Sequence, residues 1–270
     1  MQADPPSART HMAGAHWRLF VDSAASGAEN MARDHALMER AAMSGEWTLR
    51  VYSWHTPTIS LGRNQTARGL YALDRVRGHG LEVVRRPTGG RAILHDREIT
   101  YSVTAPTDGA GDLRASYNRI NRLLVHALRG IGVDAQIASP DRRASSPGLA
   151  PCFDEPAAGE LTVHGRKLAG SAQWRSDGAL LQHGSILVGN DQSVLNSLTL
   201  GTQPPIPTPA TLTQALGRPP SFGEIAAALT DAVFQLEDPD AEPLAADEAF
   251  RARTSVLVVR YMDVSWTWRR

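Results

Sequence analysis

Residues 160–174 read ELTVHGRKLAGSAQW, in which two β-forming runs flank the dipeptide His164-Gly165. A two-residue loop that contains glycine joins antiparallel strands in a tight hairpin, because glycine accepts the positive φ that such turns need. The hairpin predicts that Thr162 faces Lys167 across the two strands. Alternation along each strand then separates an apolar face from a polar face. The apolar face holds Leu161, Val163 and Leu168, and the polar face holds Glu160, Thr162 and Lys167.

Other segments show strand-like runs of β-branched, aromatic and alternating residues. The run ALLQHGSILV, residues 179–188, continues the hairpin into a meander of antiparallel strands. Further strands are predicted at residues 47–54, 58–62, 81–86, 91–96, 98–103 and 254–261.

Three segments predict amphipathic helices. Ser26 with Glu29, and Ser221 with Glu224, have the capping-box spacing that starts a helix, and another helix is expected over residues 117–129, ending at Gly130. Their inward-facing positions are Met31, His35, Met38 and Ala42; Ile120, Leu123, Leu124, Ala127 and Leu128; and Ile225, Leu229 and Val233. Strands and helices do not alternate strictly, so the sequence predicts an α+β fold with one mainly antiparallel sheet flanked by helices.

The overall composition points away from several classes of protein. The 270 residues carry a formal net charge of zero, so no global charge favours nucleic acid or a membrane surface. No apolar run approaches the ~20 residues of a membrane span, and the first 16 residues lack the apolar core of a secretory signal. We expect a cytoplasmic protein with poorly ordered residues 1–15 and a single domain over residues 16–270.

Charge is less even locally. Residues 63–97 contain eight arginines against Asp74, Glu82 and Asp96. A solvated surface is the simplest interpretation, but such a stretch also suits an anionic partner.

The chain has one cysteine, Cys152, and one lysine, Lys167, among 28 basic residues. A thiol with a pKa of about 8.5 is only about a tenth ionised near pH 7.5. An ammonium that lowers this pKa by about one unit raises the thiolate fraction to about half, and it can polarise a carbonyl oxygen under attack. The pair therefore suits acyl transfer through a thioester. The alternatives are an inert structural cysteine with a surface lysine, or His95 or His183 as the base.

Residues 85–90, RRPTGG, predict a turn in which backbone lies close to a ligand. Pro87 restricts the preceding residue to extended backbone, while Gly89 and Gly90 allow positive φ and close approach. The flanking arginines are Arg85, Arg86 and Arg91. An ordinary hairpin turn with solvated arginines is the alternative. The histidines show no metal-ligand spacing, and no metal is expected.

Four segments occur together in a recognisable order: residues 85–103, 152–156 (CFDEP), 165–173 (GRKLAGSAQ) and 181–188 (LQHGSILV). In order and spacing they resemble the biotin/lipoate protein ligase superfamily, and the segments NMARDHALMERA and LTQALGRPPSFGEI extend the resemblance over about residues 16–235. The resemblance implies the catalytic-domain fold shared by lipoate ligases, octanoyltransferases and biotin ligases.

Within the superfamily, CFDEP followed by GRKLAGSAQ resembles the cysteine-dependent octanoyltransferases of the LipM kind. That resemblance implies that Cys152 takes octanoyl from octanoyl-acyl carrier protein as a thioester and passes it to a lipoyl-domain lysine, typically of the glycine cleavage H protein. Lys167 matches the residue that lowers the thiol pKa. The residues implied to line the acyl site are Arg86, Thr88, Gly89, Gly90, Arg91, His95, Gly170, Ser171, Ala172, His183 and Gly184.

The resemblance implies no cofactor, and we expect a monomer without nucleic-acid or membrane partners. Gly159 stands where a bulky aromatic residue is expected, which bears on the pocket shape and the preferred chain length. Three alternatives stay open: an ATP-dependent lipoate or octanoate ligase, an amidotransferase between lipoyl domains, and a non-catalytic acyl-binding protein.

Overall fold

The computed structural model describes residues 15–108, 112–138, 159–201 and 205–270. Cys152 and residues 1–14, expected to be poorly ordered, lie outside the described residues. The strands are β1 (Trp17–Val21), β2 (Trp47–Tyr52), β3 (Thr58–Leu61), β4 (Glu82–Arg85), β5 (Ile93–His95), β6 (Glu98–Pro106), β7 (Gln136–Ile137), β8 (Leu161–Val163), β9 (Arg166–Ser176), β10 (Ala179–Leu187) and β11 (Glu242–Pro243). The helices are α1 (Gly27–Ser44), α2 (Leu73–Gly78), α3 (Leu113–Gly130), α4 (Val194–Ser197), α5 (Leu212–Leu216), α6 (Phe222–Leu236), α7 (Glu248–Met262) and α8 (Val264–Thr267).

Most strands form one eight-stranded sheet in the order β11-β1-β2-β6-β10-β9-β8-β7. Only β1 pairs in parallel, with β11 and β2, and the other pairs are antiparallel. The predicted α+β fold with a mainly antiparallel sheet is confirmed. A second sheet of three strands, in the order β4-β3-β5, was not expected. In it β3 lies between β4 and β5, so the RRPTGG segment is a crossing rather than a hairpin turn.

The hairpin of β8 and β9 has the predicted pairing of Thr162 with Lys167. Its turn residues His164 and Gly165 have φ of 49° and 72°, the positive values that a type I′ turn requires. Beyond the Thr162–Lys167 pair the register shifts by one residue, and Leu161 pairs with Ala169 instead of Leu168. Such a bulge lets two neighbouring residues of β9 oppose a single position of β8.

The large sheet buries both of its faces. One face is apolar and packs on α3 and α6, in a core that includes Leu49, Tyr101, Leu124 and Leu229. The other face lies under α1 and carries buried polar side chains at the alternate positions of β2, β6 and β10. These are Arg50, Tyr52, Thr100, Ser102, His183 and Ser185.

The predicted helices form, with small differences. Ser26 and Glu29 make a complete capping box at the start of α1, whereas Ser221 caps α6 but Glu224 pairs with Arg218 instead. On α1 the expected inward residue Ala42 is exposed and Ala41 is buried in its place. The helix α3 starts one turn earlier than predicted. No helix in the described part of the chain is both long and apolar enough to span a bilayer.

The prediction of a strand at residues 254–261 is wrong, because this segment belongs to the helix α7. The side chain of Asp247 accepts the backbone N–H of Phe250 and caps the helix. Phe250, Leu257 and Tyr261 recur at helical spacing and are buried against α1. This packing outweighs the weak strand preference of the three valines.

Two alanine substitutions distinguish the helix from the strand. Leu257 is 5% exposed and Val259 is 71% exposed, whereas positions two apart in a strand share a face. We expect Leu257→Ala to lower the free energy of unfolding by about 2–3 kcal/mol and Val259→Ala to change it by less than about 0.5 kcal/mol. Urea denaturation measures both values, and equal losses would contradict the helix.

Candidate active site

The RRPTGG turn is held by the two arginines that begin it, and both are buried. Arg85 donates to the carbonyl oxygens of Gly62 and Gln65 at 2.5 and 2.8 Å, and Arg86 donates to those of Ser60 and Gly89, each at 2.8 Å. The interpretation of solvated arginines is therefore wrong for these two. Burial, followed by the charges of nearby arginines, lowers the pKa of Arg85 to about 10. Their guanidinium groups fix loop carbonyls in place.

Close backbone contact explains two glycines near this turn. A Cβ atom on Gly62 would lie 1.9 Å from the carbonyl oxygen of Gly90, so no other residue fits at Gly62 without moving the turn. Gly90 itself has a φ of 90°, a value that favours glycine.

A narrow cleft with about 30 Å³ of free space lies between the small sheet, α1 and strands β9 and β10 of the large sheet. The structure brings eight of the predicted acyl-site residues into its wall: Arg86, Gly90, His95, Gly170, Ser171, Ala172, His183 and Gly184. Three others are not among the lining residues: Thr88, Gly89 and Arg91. The wall also holds residues that the sequence did not single out: Met31, Tyr52, Trp54, Ser60, Ile93, Thr100 and Ser185.

Asp34 on α1 is the centre of the polar network beside the cleft. Its carboxylate is fully buried, accepts from Arg50 at 2.7 Å and Ser102 at 2.8 Å, and accepts from Tyr52 at 2.9 Å. His183 Nδ1 lies 2.9 Å from the same carboxylate. These contacts bind α1 to three neighbouring strands of the large sheet.

Two opposing effects set the ionisation of Asp34. Burial by itself raises the pKa of this carboxyl, but the charge of Arg50 and the hydrogen bonds from His183 and Ser102 outweigh it. The pKa of Asp34 therefore lies below its ordinary value, and the carboxylate is charged at neutral pH. Burial, and to a lesser extent the charge of Asp34, raises the pKa of Tyr52 well above its ordinary value. The Tyr52 hydroxyl therefore stays protonated and donates its hydrogen bond to Asp34.

His183 links this carboxylate to the glycine-rich turn. Its Nδ1 lies 2.9 Å from the Asp34 carboxylate, and its Nε2 lies 2.6 Å from the Thr88 hydroxyl. Thr88 thus lies behind the cleft wall and connects the turn to β10. This contact gives Thr88 a positioning role.

A second histidine occupies the opposite side of the cleft. His95 Nε2 is 2.8 Å from the hydroxyl of Ser60, and its ring stacks on Trp54 with a centroid separation of 4.0 Å. Its Nδ1 lies 3.4 Å from the carboxylate of Glu98. Burial lowers the pKa of His95 in spite of Glu98, so the imidazole is neutral at neutral pH.

Gly184 on β10 leaves room for the Tyr101 side chain of β6 to pass over β10 and reach Ser171 on β9. Gly184 pairs with Tyr101 on one side and with Ser171 on the other, and the Tyr101 hydroxyl lies 2.7 Å from the Ser171 hydroxyl. A Cβ on Gly184 would lie 2.8 Å from the Tyr101 ring and 2.7 Å from the Ser171 hydroxyl. Burial raises the pKa of Tyr101 to about 12, so its hydroxyl is protonated.

Lys167 is buried on β9, and its Nζ lies 2.7 Å from the carboxylate of Glu160. It is not a lining residue of the cleft, but Gly170, three residues further along the strand and about 10 Å away, is one. Cys152, the other predicted catalytic residue, lies outside the described residues.

Gly159 has a φ of 91°, and a Cβ on it would lie 3.1 Å from the Tyr117 ring. The positive φ and this close contact both disfavour a larger side chain at this position.

The lipoyl protein ligase A/B catalytic domain model matches residues 26–234. The chain belongs to this family. It is 37% identical to the octanoyltransferase LipM of Kyrpidia tusciae, over 94% of this chain and 99% of the relative. It is 41% identical to the octanoyltransferase LipM of Symbiobacterium thermophilum, over 77% of this chain and 82% of the relative. The protein is therefore an acyltransferase, an octanoyltransferase of protein lipoylation.

Solved structures of the family show the same fold. A crystal structure of lipoate-protein ligase A bound with ATP is 21% identical and superposes with a TM-score of 0.76, covering 94% of this chain and 98% of that one. A bipartite lipoate protein ligase from Thermoplasma acidophilum, studied with its E2 lipoyl domain, is 20% identical with a TM-score of 0.73, over 94% and 96% of the two chains. The predicted catalytic-domain fold is confirmed.

Residues missed by sequence reasoning share one signal. Asp34, Arg50 and Glu98 are charged, yet they stand at positions that the helical or strand period places inside the fold. A charged residue at an inward position needs a partner of opposite charge or several hydrogen bonds. The period alone does not identify that partner, because the partners are distant in sequence.

The buried Asp34 carboxylate predicts a distinctive stability profile. We expect Asp34→Asn to lower the free energy of unfolding by about 3 kcal/mol at neutral pH, because Arg50 loses a buried counter-charge. The native pKa of Asp34 is depressed, so its contribution is complete above the ordinary value of about 3.9 and is lost as the pH falls through the native value. The difference between wild type and variant, measured by urea denaturation, should be constant from about pH 5 to 8 and shrink below about pH 4.

The matched control for this prediction is Asp74→Asn. Asp74 pairs with Arg77 at an exposed site, with 94% of its side chain accessible, and its loss should have no measurable effect. A wild-type–variant difference for Asp34 that grows as the pH falls would contradict the assignment of a buried charged carboxylate.

Proposed function

We propose that the protein transfers an octanoyl group from octanoyl-acyl carrier protein to a lysine of a lipoyl domain, through a thioester on Cys152. The observation that carries the proposal is the buried ion pair of Lys167 with Glu160, at 2.7 Å, on the strand that leads into the cleft wall. The chain has no other lysine and no other cysteine, and its curated relatives are octanoyltransferases.

Two transfers make up the proposed reaction. The Cys152 thiolate attacks the thioester carbonyl of the donor, a new carbon–sulfur bond forms, and the carrier thiol leaves with a proton. The acceptor lysine, as a free amine, then attacks the enzyme thioester and forms an amide. The amine proton is released and the Cys152 thiolate is regenerated.

Lys167 contributes positive charge to the first transfer. An ammonium close to a thiol favours the thiolate and so lowers the thiol pKa. The same charge stabilises the oxyanion that develops on the carbonyl oxygen. Glu160 supports this role, because its carboxylate fixes the direction of the Lys167 side chain.

The chemistry of the cleft lining suits an acyl chain and the carbonyl group that ends it. Met31, Trp54 and Ile93 supply apolar surface, while Ser171 and the backbone of the glycine-rich turn supply polar groups at the wall. We propose that all eleven residues predicted for the acyl site act there, with Thr88 holding the turn through His183. The H protein of glycine cleavage as acceptor, the monomeric state and the cytoplasmic location stay predictions.

An acyl adduct on Cys152 tests the proposal directly. Incubation with octanoyl-acyl carrier protein should add one octanoyl group, which intact-mass measurement and peptide mapping locate on Cys152. Cys152→Ala should form no adduct and should not transfer octanoyl to a lipoyl domain, because the variant lacks the thiol that forms the thioester. Transfer by Cys152→Ala from free octanoate with ATP and Mg²⁺ would instead identify a ligase. An adduct formed only from an octanoylated lipoyl domain would identify an amidotransferase.

Lys167→Arg tests the role of the ammonium. The substitution keeps the charge but replaces a compact head by a planar guanidinium, which does not reproduce the geometry at Glu160. We expect the fold to be retained and the single-turnover acylation of Cys152 to slow by about tenfold or more. The control is Arg166→Lys, the exposed neighbour, which should acylate at the wild-type rate. An unchanged rate in Lys167→Arg would show that the ammonium has no such role.

A further inference from the structure

Four arginines come together beside the glycine-rich turn, and three of them belong to the C-terminal part of the chain. The guanidinium carbons of Arg260 and Arg269 each lie 4.2 Å from the ring centroid of Trp266. Arg269 also donates to the carbonyl oxygen of Arg63. Arg270 follows directly, and its carbonyl oxygen accepts two backbone N–H groups from residues 67–68. We call this set the arginine cluster.

The arginine cluster concentrates like charge. Burial, and then the charges of Arg63, Arg270 and Arg260, lower the pKa of Arg269. Across the described ranges, none of the four forms an ion pair with a carboxylate. The nearby acids are engaged elsewhere, since Glu39 pairs with Arg253 and the carboxylate of Asp263 accepts from Ser265.

The contacts of Arg260 and Arg269 with Trp266 are compatible with a further hydrogen-bond partner. A guanidinium that covers an aromatic ring with its face keeps its N–H edge available for a carboxylate or a phosphate. Trp266 is fixed in turn, because its Nε1 donates to the carbonyl oxygen of Arg85 at 2.9 Å. Arg260 and Arg270 are exposed, so an acidic group can reach them from solvent.

The arginine cluster adjoins the cleft. The backbone N–H of Arg63 donates to the carbonyl oxygen of Thr88 at 2.8 Å, within the glycine-rich turn. The guanidinium of Arg63 lies 5.0 Å from the ring of Trp174, three residues beyond the lining residue Ser171 on β9. A macromolecule bound to the arginines would therefore lie next to the cleft wall.

We propose that the arginine cluster is the docking surface for an acidic protein, the carrier that delivers the acyl group. The inference rests on the proposed function, since it requires a protein-bound donor. The acyl chain enters the cleft while still attached to its carrier, so the carrier has to dock beside the cleft. This surface overlaps the basic stretch of residues 63–97 only at Arg63, since Arg85 and Arg86 of that stretch are buried and the other three members of the cluster come from the C-terminal part of the chain.

Charge reversal at the two exposed arginines tests the surface. Arg260→Glu and Arg270→Glu should each raise the KM for octanoyl-acyl carrier protein by about 3- to 10-fold at low ionic strength, with kcat little changed. The increase should shrink at about 0.5 M salt, because ions screen charges between exposed groups. Arg260→Gln and Arg270→Gln should have smaller effects of the same direction, and thermal melting verifies that each variant folds.

Two controls separate docking from chemistry. Octanoyl-N-acetylcysteamine carries no charge, so its acylation of Cys152 should be the same in wild type and variants. Arg122→Glu, an exposed change on α3 at the other face of the sheet, should leave the KM for the carrier protein unchanged.

The outcomes distinguish the two proposals. If neither donor acylates Cys152 in the wild-type protein, the proposed function fails and the assignment of this surface fails with it. If both donors work but Arg260→Glu and Arg270→Glu leave the carrier KM at the wild-type value, only the docking inference is overturned. A rise in the KM for the lipoyl-domain acceptor alone would also overturn it.

Discussion

The buried Asp34 carboxylate is the interaction on which the rest of the site depends. It accepts hydrogen bonds from β2, β6 and β10 at once, through Arg50, Tyr52, Ser102 and His183. An isolated carboxylate at this depth would be protonated or would destabilise the fold. Full satisfaction by charge and hydrogen bonds keeps it ionised, and the same contacts fix α1 against the large sheet.

The two faces of the large sheet have different roles: one forms the main apolar core, and the other carries the buried polar network beside the cleft. The apolar face packs on α3 and α6 and supplies the main core. The polar face lies under α1, where most of the buried polar groups are satisfied by hydrogen bonds within the protein. Such a satisfied network holds donors and acceptors in fixed directions. The cleft wall thus combines fixed, oriented polar groups with apolar side chains such as Met31.

Glycines bring the elements around the cleft closer than side chains would allow. Gly62 permits the contact with the backbone of Gly90, and Gly184 permits Tyr101 to reach Ser171. The arginines that precede the turn add a second constraint, since Arg86 connects it to β3 and Arg85 connects it to the loop that follows β3. The glycine-rich turn is thus fixed by contacts on several sides before any ligand binds.

Local patterns predicted much of this molecule. The turn His164-Gly165 and the alternation beside it predicted the hairpin and the pairing of Lys167, because these depend on neighbouring residues. Motif order predicted the family and most of the cleft wall. Sequence patterns missed the helix α7, where burial of Leu257 against α1 outweighs strand preference. They left open whether Arg85 and Arg86 are solvated, and the structure buries both against loop carbonyls.

By itself the amino-acid sequence determined many of the elements, the α+β class and the pair of unique residues, since capping, turn and period signals act within a few residues. Only the tertiary structure decided which charges are buried together. Asp34 and His183 are 149 positions apart, and Arg63 and Arg269 are 206 apart, and no local pattern encodes such partners. Burial of apolar surface is the main driving force of the folding that brings them together. Charged side chains that are buried in this process are stable only where a partner of opposite charge lies beside them.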